Sequence, residues 1–154
     1  MQAAPVSTPA RAARAILWGG ALAGTGDLTF AFVYYGFRLG VFQNVAGGLL
    51  GREAARSGGV PTFLLGVFLH YLIATLWAAA FWFASRREPA LVRHAVPAGL
   101  LYGLVVFYGM NCVVLPLSAL HTHGWPPPFA AWPVAMHMLV VGLPIALAVR
   151  RASR

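Results

Sequence analysis

The chain has 154 residues, 60% of them hydrophobic and 9% charged, with a mean hydropathy of +0.74. A soluble domain of this size needs far more polar surface, so an ordinary globular protein in water is excluded. The formal charge of +8 rests on 11 basic residues, all arginine, against three acids, Asp27, Glu53 and Glu88; because the arginines cluster between apolar runs, the composition fits lipid headgroups and argues against nucleic acid.

Residues 1–14 open with "MQAAPVSTPA", small, polar and Pro-containing, and read as a disordered leader. Four apolar runs follow, at about 15–37, 61–84, 95–118 and 129–149, and residues 150–154 form a basic tail. At ~1.5 Å rise per residue each run can cross a hydrocarbon core of ~30 Å. Lipid offers no partner to a free peptide group, so the expected fold is all-α, a single four-span membrane bundle over 15–149. "RAARAILWGGALAG" has the basic start of a signal peptide, but its apolar run continues to Phe37, beyond an ordinary signal core of ~7–15 residues.

Orientation follows from the arginines. Arg11, Arg14, Arg86, Arg87, Arg93, Arg150, Arg151 and Arg154 fall on one side if both termini are cytoplasmic, leaving Arg38, Arg52 and Arg56 outside. Between the first two spans, residues 41–59 place Phe42, Val45, Leu49 and Leu50 at helical spacing, which describes a short amphipathic helix on the outer surface or one that re-enters between spans. The outer loop "LHTHGWPPPFAAW" carries Trp125 and Trp132 at interfacial positions and a stiff proline run.

Asp27 stands out because an aspartate at a helix centre costs about 2.5–3.5 kcal/mol on insertion scales. On the first span Gly20, Gly24 and Asp27 share one face; on the second Gly66 and His70 do so; the third carries Gly99, Gly103 and Asn111, and the fourth His137 between Pro133 and Pro144. Glycines at such steps let helices approach closely. Counted from the outer end of each span, Asp27, His70, Asn111 and His137 lie about 7–10 residues in, one layer ~10–15 Å deep. A buried carboxylate and a buried imidazole can exchange a proton at modest cost, so the layer reads as a relay in which Asp27 carries the proton, His70 and His137 exchange it, and Asn111 positions.

Three functional readings remain open. The first is handling of a proton, an ion or a small polar solute. The second is an accessory or assembly subunit, either a homo-oligomer or part of a larger membrane complex, in which the polar layer only holds helices together. The third is a haem b carrier with His70 and His137 as axial ligands; otherwise no cofactor is expected. No nucleophile elbow, Walker loop, HExxH or CxxC is present, so the sequence leans away from an enzyme. His121 and His123 form an H-x-H pair too small for a closed metal site, and Cys112 has no second cysteine to pair with. Each half also repeats a Gly pair, then Asp or Asn, then a His on the next span, a loose parallel repeat.

The strings "FQNVAGGLLGREA", "LLGVFLHYLIATLW" and "GLLYGLVVFYGMNCVVLPLSA" resemble a family of small uncharacterised bacterial inner-membrane proteins, and the last half is similar to YagU-like inner-membrane proteins. The resemblance implies a multi-pass protein of the bacterial inner membrane and brings no catalytic residue with it.

Overall fold

The computed structural model of the chain describes residues 9–122 and 131–154, and their regular structure is helical. The helices are α1 (Pro9–Tyr34), α2 (Gly40–Leu50), α3 (Arg52–Ser57), α4 (Gly59–Arg87), α5 (Ala90–Arg93), α6 (Ala95–Leu117) and α7 (Ala131–Ala152). Four of them, α1, α4, α6 and α7, are long and apolar enough to cross a bilayer, which makes the chain a multi-pass membrane protein.

Some boundaries move outward from the sequence expectation. Residues 9–14, assigned above to an unstructured leader, are the first turns of α1. Proline is well suited to the start of a helix, and alanine and arginine are strong helix formers. At the other end α7 continues through Arg150 and Arg151, whose charges favour a helix C-terminus, so the basic tail begins as helix. Residues 1–8, His123, Trp125 and the start of the expected fourth span at 129–130 lie outside the described residues.

The bundle is small inside and large outside. Ala15, Ala23, Ala78, Ala95 and Ala146 are buried, whereas Leu64, Phe68, Leu72 and Leu76 form an exposed stripe at four-residue steps along α4. Lipid solvates large apolar side chains as well as a protein core does, so close backbone approach through small residues holds such helices together. A Cβ added at Gly20 would stand 2.7 Å from Thr75 Cα, and one at Gly24 would stand 2.9 Å from the Tyr71 ring, which marks the α1–α4 crossing. Gly99, Gly103 and Gly142 form the α6–α7 crossing: a Cβ at Gly99 would lie 2.9 Å from Leu143 Cα, and one at Gly103 would lie 2.5 Å from His137 O. Gly66 differs from the others. Its open side is filled by the main chain of α2 at Phe42, not by another span.

Going round the bundle, α4 packs on α1, α1 on α7 and α7 on α6. The remaining gap, between α6 and α4, is bridged by large side chains: Tyr102 stacks edge-on against Trp77 and Phe81, and its hydroxyl donates to Trp77 O at 2.7 Å. This wider spacing leaves room for a cavity.

Antiparallel packing gathers the eight clustered arginines at one end and puts α2 and α3 at the other. Gly51 takes φ +83° to turn α2 into α3, a backbone state that glycine adopts freely. Three contacts fasten this cap: Gln43 Nε2 donates to Gly59 O at 3.2 Å and to Thr62 Oγ1 at 3.3 Å, and the Ala119 N–H donates to Gly48 O at 2.8 Å. Gly66 lies seven residues into α4, about 10 Å from its start, so α2 is tucked down between spans and crosses the bundle end.

Two spans widen locally. Met110–Val114 in α6 and His137–Gly142 in α7 are π-helical, and each ends two residues before a proline, Pro116 or Pro144. A proline removes one N–H and crowds the carbonyl four residues back, and an expanded turn relieves that conflict. Asn111 and His137 both sit on these expanded turns.

Candidate functional site

Asp27 lies one turn beyond Gly24 on the α1 face that packs against α4, and His70 lies one turn from Ala74 on the opposing face. The close crossing at Gly20 and Gly24 therefore presses these two side chains together, with His70 Nε2 3.9 Å from Asp27 Oδ2. From the opposite side α7 brings His137 Nε2 to 3.8 Å from Asp27 Oδ1. One carboxyl thus stands between two imidazoles from different spans. The side chains of His70, His137 and Asp27 are 14%, 18% and 24% exposed, so each keeps some surface that other protein atoms do not cover.

Backbone carbonyls orient both rings. His70 Nε2 donates to Gly24 O at 2.9 Å, and His137 Nδ1 donates to Pro133 O at 2.8 Å. A carbonyl only accepts, so in the neutral rings His70 carries its hydrogen on the nitrogen facing Asp27, while His137 turns a lone pair toward it. The carboxyl consequently has, beyond its Oδ2, an N–H already given to Gly24 O and, beyond its Oδ1, an unshared lone pair. Separations of 3.8 and 3.9 Å exceed hydrogen-bond length, and a shift of roughly 1 Å in Asp27 or in the histidine concerned closes a gap. Phe107 packs edge-on against His137 with centroids 5.2 Å apart and limits the ring's freedom.

These groups line a cavity of about 550 Å³. Its roof is the cap, through Asn44, Val45 and Gly48, with Arg52 at the rim and Ser118 and Thr122 on the α6 side. Trp77 and Met110 close the floor, where Trp77 Nε1 donates to Met110 Sδ at 3.4 Å. Beneath them Ala78, Phe81, Trp82 and Ile145 are packed solid. The cavity is therefore closed toward the arginine end, and Arg52, Ser118 and Thr122 line it at the cap end.

Asn111 also lines the cavity, but its Nδ2 donates to Phe107 O at 2.8 Å on its own helix. Among the described residues it makes no hydrogen bond to Asp27 or to either histidine. His121, of the H-x-H pair, is exposed in the turn after α6, and Cys112 is a half-buried free thiol. Among the described residues no cluster of three or more His, Cys, Asp or Glu side chains has metal-binding geometry. Because the shared neighbour of His70 and His137 is a carboxyl group, the geometry adds no support to haem ligation.

The sequence reading allows residues 41–59 to re-enter between spans but singles out neither Asn44 nor Trp77, although Trp77 lies seven residues after His70 on the same helix face. The hydrogen bond between Thr25 and Tyr71 hydroxyls at 2.9 Å, which braces α1 against α4, was also missed.

Comparison with protein-family models, with curated proteins and with solved structures finds no match, so the reading of function rests on the geometry of the site itself.

Proposed function

We propose that the chain is an inner-membrane protein that takes up a proton and a small polar solute or ion from the outer face through the cavity beneath α2. The observation that carries this reading is the Asp27 carboxyl standing within 4 Å of two imidazoles in the wall of a cavity that Asn44, Arg52 and Asn111 also line. A membrane-buried acid with such neighbours is a typical element of a proton path. Asp27 accepts the proton, His70 and His137 exchange it, and Asn44, Asn111 and Arg52 offer polar contacts to the solute. With the arginine end on the cytoplasmic side, the cap end of the cavity faces outward. The packed layer below Trp77 means that onward passage needs a rearrangement, for which the π-helical turns of α6 and α7 are the hinges in this reading.

The test is proton uptake by proteoliposomes that contain a pH-sensitive dye. Wild-type protein is expected to raise uptake above empty vesicles under an imposed gradient, and Asp27→Asn is expected to abolish the increment. Equal uptake by the two proteins would remove Asp27 from the path and leave it a packing residue.

A further inference from the structure

The arginine end carries a second feature that the cavity does not use. Arg11 and Arg14 on α1 and Arg151 and Arg154 at the end of α7 flank a groove of about 630 Å³ between the two helices. Its base is apolar, with Trp18 61% exposed and Leu22 52% exposed. A second hollow of about 780 Å³ shares Leu22, Arg151 and Arg154 with the first and continues down the same face past Leu147 to Leu139.

Charge and shape point to one kind of occupant. Among the described residues the only ion pairs are those of Asp27 with His70 and His137, so the four guanidinium groups face no carboxylate. Arg11 and Arg14 are three residues apart on one face of α1, and Arg151 in the last turn of α7 and Arg154 just past its end line the same groove. Arg151 and Leu139 are twelve residues apart, which gives an apolar groove ~18 Å long, about one leaflet's half of a ~30 Å hydrocarbon core. A free anion would satisfy the arginines and leave this apolar groove unused. A soluble protein segment would have to enter the leaflet to fill it.

We propose that the α1–α7 face is a binding site for a diacidic phospholipid, one phosphate held by Arg11 and Arg14, the other by Arg151 and Arg154, with an acyl chain lying along Leu22, Leu147 and Leu139. Guanidinium groups suit this role because they pair phosphate oxygens through two parallel N–H donors. The site joins the helix that carries Asp27 to the helix that carries His137, so an occupied groove ties these two spans together at their arginine ends.

The test is native mass spectrometry of the full chain in detergent, titrated separately with diphosphatidylglycerol, phosphatidylglycerol and phosphatidylcholine. Diphosphatidylglycerol is expected to bind at least about tenfold more tightly than either of the others, and replacing all four arginines by glutamine is expected to remove that preference. Arg52→Gln with Arg56→Gln, at the opposite end, should leave it intact, and millimolar inorganic phosphate should not displace the lipid. Equal binding of the three lipids, equal loss in the Arg52 and Arg56 variant, or displacement by phosphate would each overturn the assignment. The ranking of lipids on the wild-type chain decides the matter by itself if the four-glutamine variant does not assemble.

Discussion

Replacing Gly103 by alanine places one methyl group at the α6–α7 crossing beside His137. The new Cβ would lie 2.5 Å from His137 O and 2.7 Å from Met138 N, and it would overlap Met138 Cα. All three are backbone atoms, which cannot turn aside as a side-chain tip can. Ordinary contact needs about 3.5–4.0 Å, so the helices must part by about 1 Å, and such a gap forfeits a quarter to a half of each dispersion contact along the seam. Gly99 and Gly142 sit in the same seam and lose their contacts with it. Because the overlap is with backbone, the cost falls in the upper part of the usual overpacking range, about 2–3 kcal/mol, and the helix propensity that alanine gains over glycine, ~1 kcal/mol, leaves a net destabilisation of about 1–2 kcal/mol. Gly48→Ala is the matched control, because its Cβ would meet only Ser118 Cβ at 3.7 Å, an ordinary contact. Reversible unfolding of both variants in mixed micelles measures the difference directly. Gly103→Ala as stable as wild type, or Gly48→Ala equally damaged, would refute the packing argument.

Further outcomes follow from the site and the cavity. A double-mutant cycle of Asp27→Asn with His70→Ala, read by the same unfolding assay, should give a coupling of about 0.5–1.5 kcal/mol, within the range for intramembrane polar pairs; zero coupling would mean the two side chains do not meet. In a Cys112→Ser background, Ser118→Cys at the cavity wall should react with an impermeant maleimide added at the cap end, whereas Ala78→Cys beneath Trp77 should not. The purified protein should show no Soret band, since a carboxyl adjoins both imidazoles; a Soret band lost in both His70→Ala and His137→Ala would identify haem ligands instead.

The spans were legible because their signals are local: a long apolar run, arginines at its ends, and small residues at four-residue steps. The shared depth of Asp27, His70 and His137 was legible for the same reason, since depth is a count of residues from a span end. Direction around the helix was harder. Asn111 shares the cavity wall, yet whether its amide crosses to a neighbour or folds back to Phe107 is a rotamer choice on an expanded turn, and the sequence does not show that turn directly. Gly66 read as a span–span contact because glycine signals only close approach and does not name the partner, which here is α2. Gly142 escaped notice because the two glycines it meets, Gly99 and Gly103, belong to a different span.

The central claim is that one carboxyl serves two imidazoles, and nitrogen NMR of ring-labelled histidine reads it most directly. On Asp27→Asn the ring-nitrogen signals of both His70 and His137 should shift, while those of His94 and His121 stay where they are. Unchanged signals from both, or a response from one alone, would contradict the shared site.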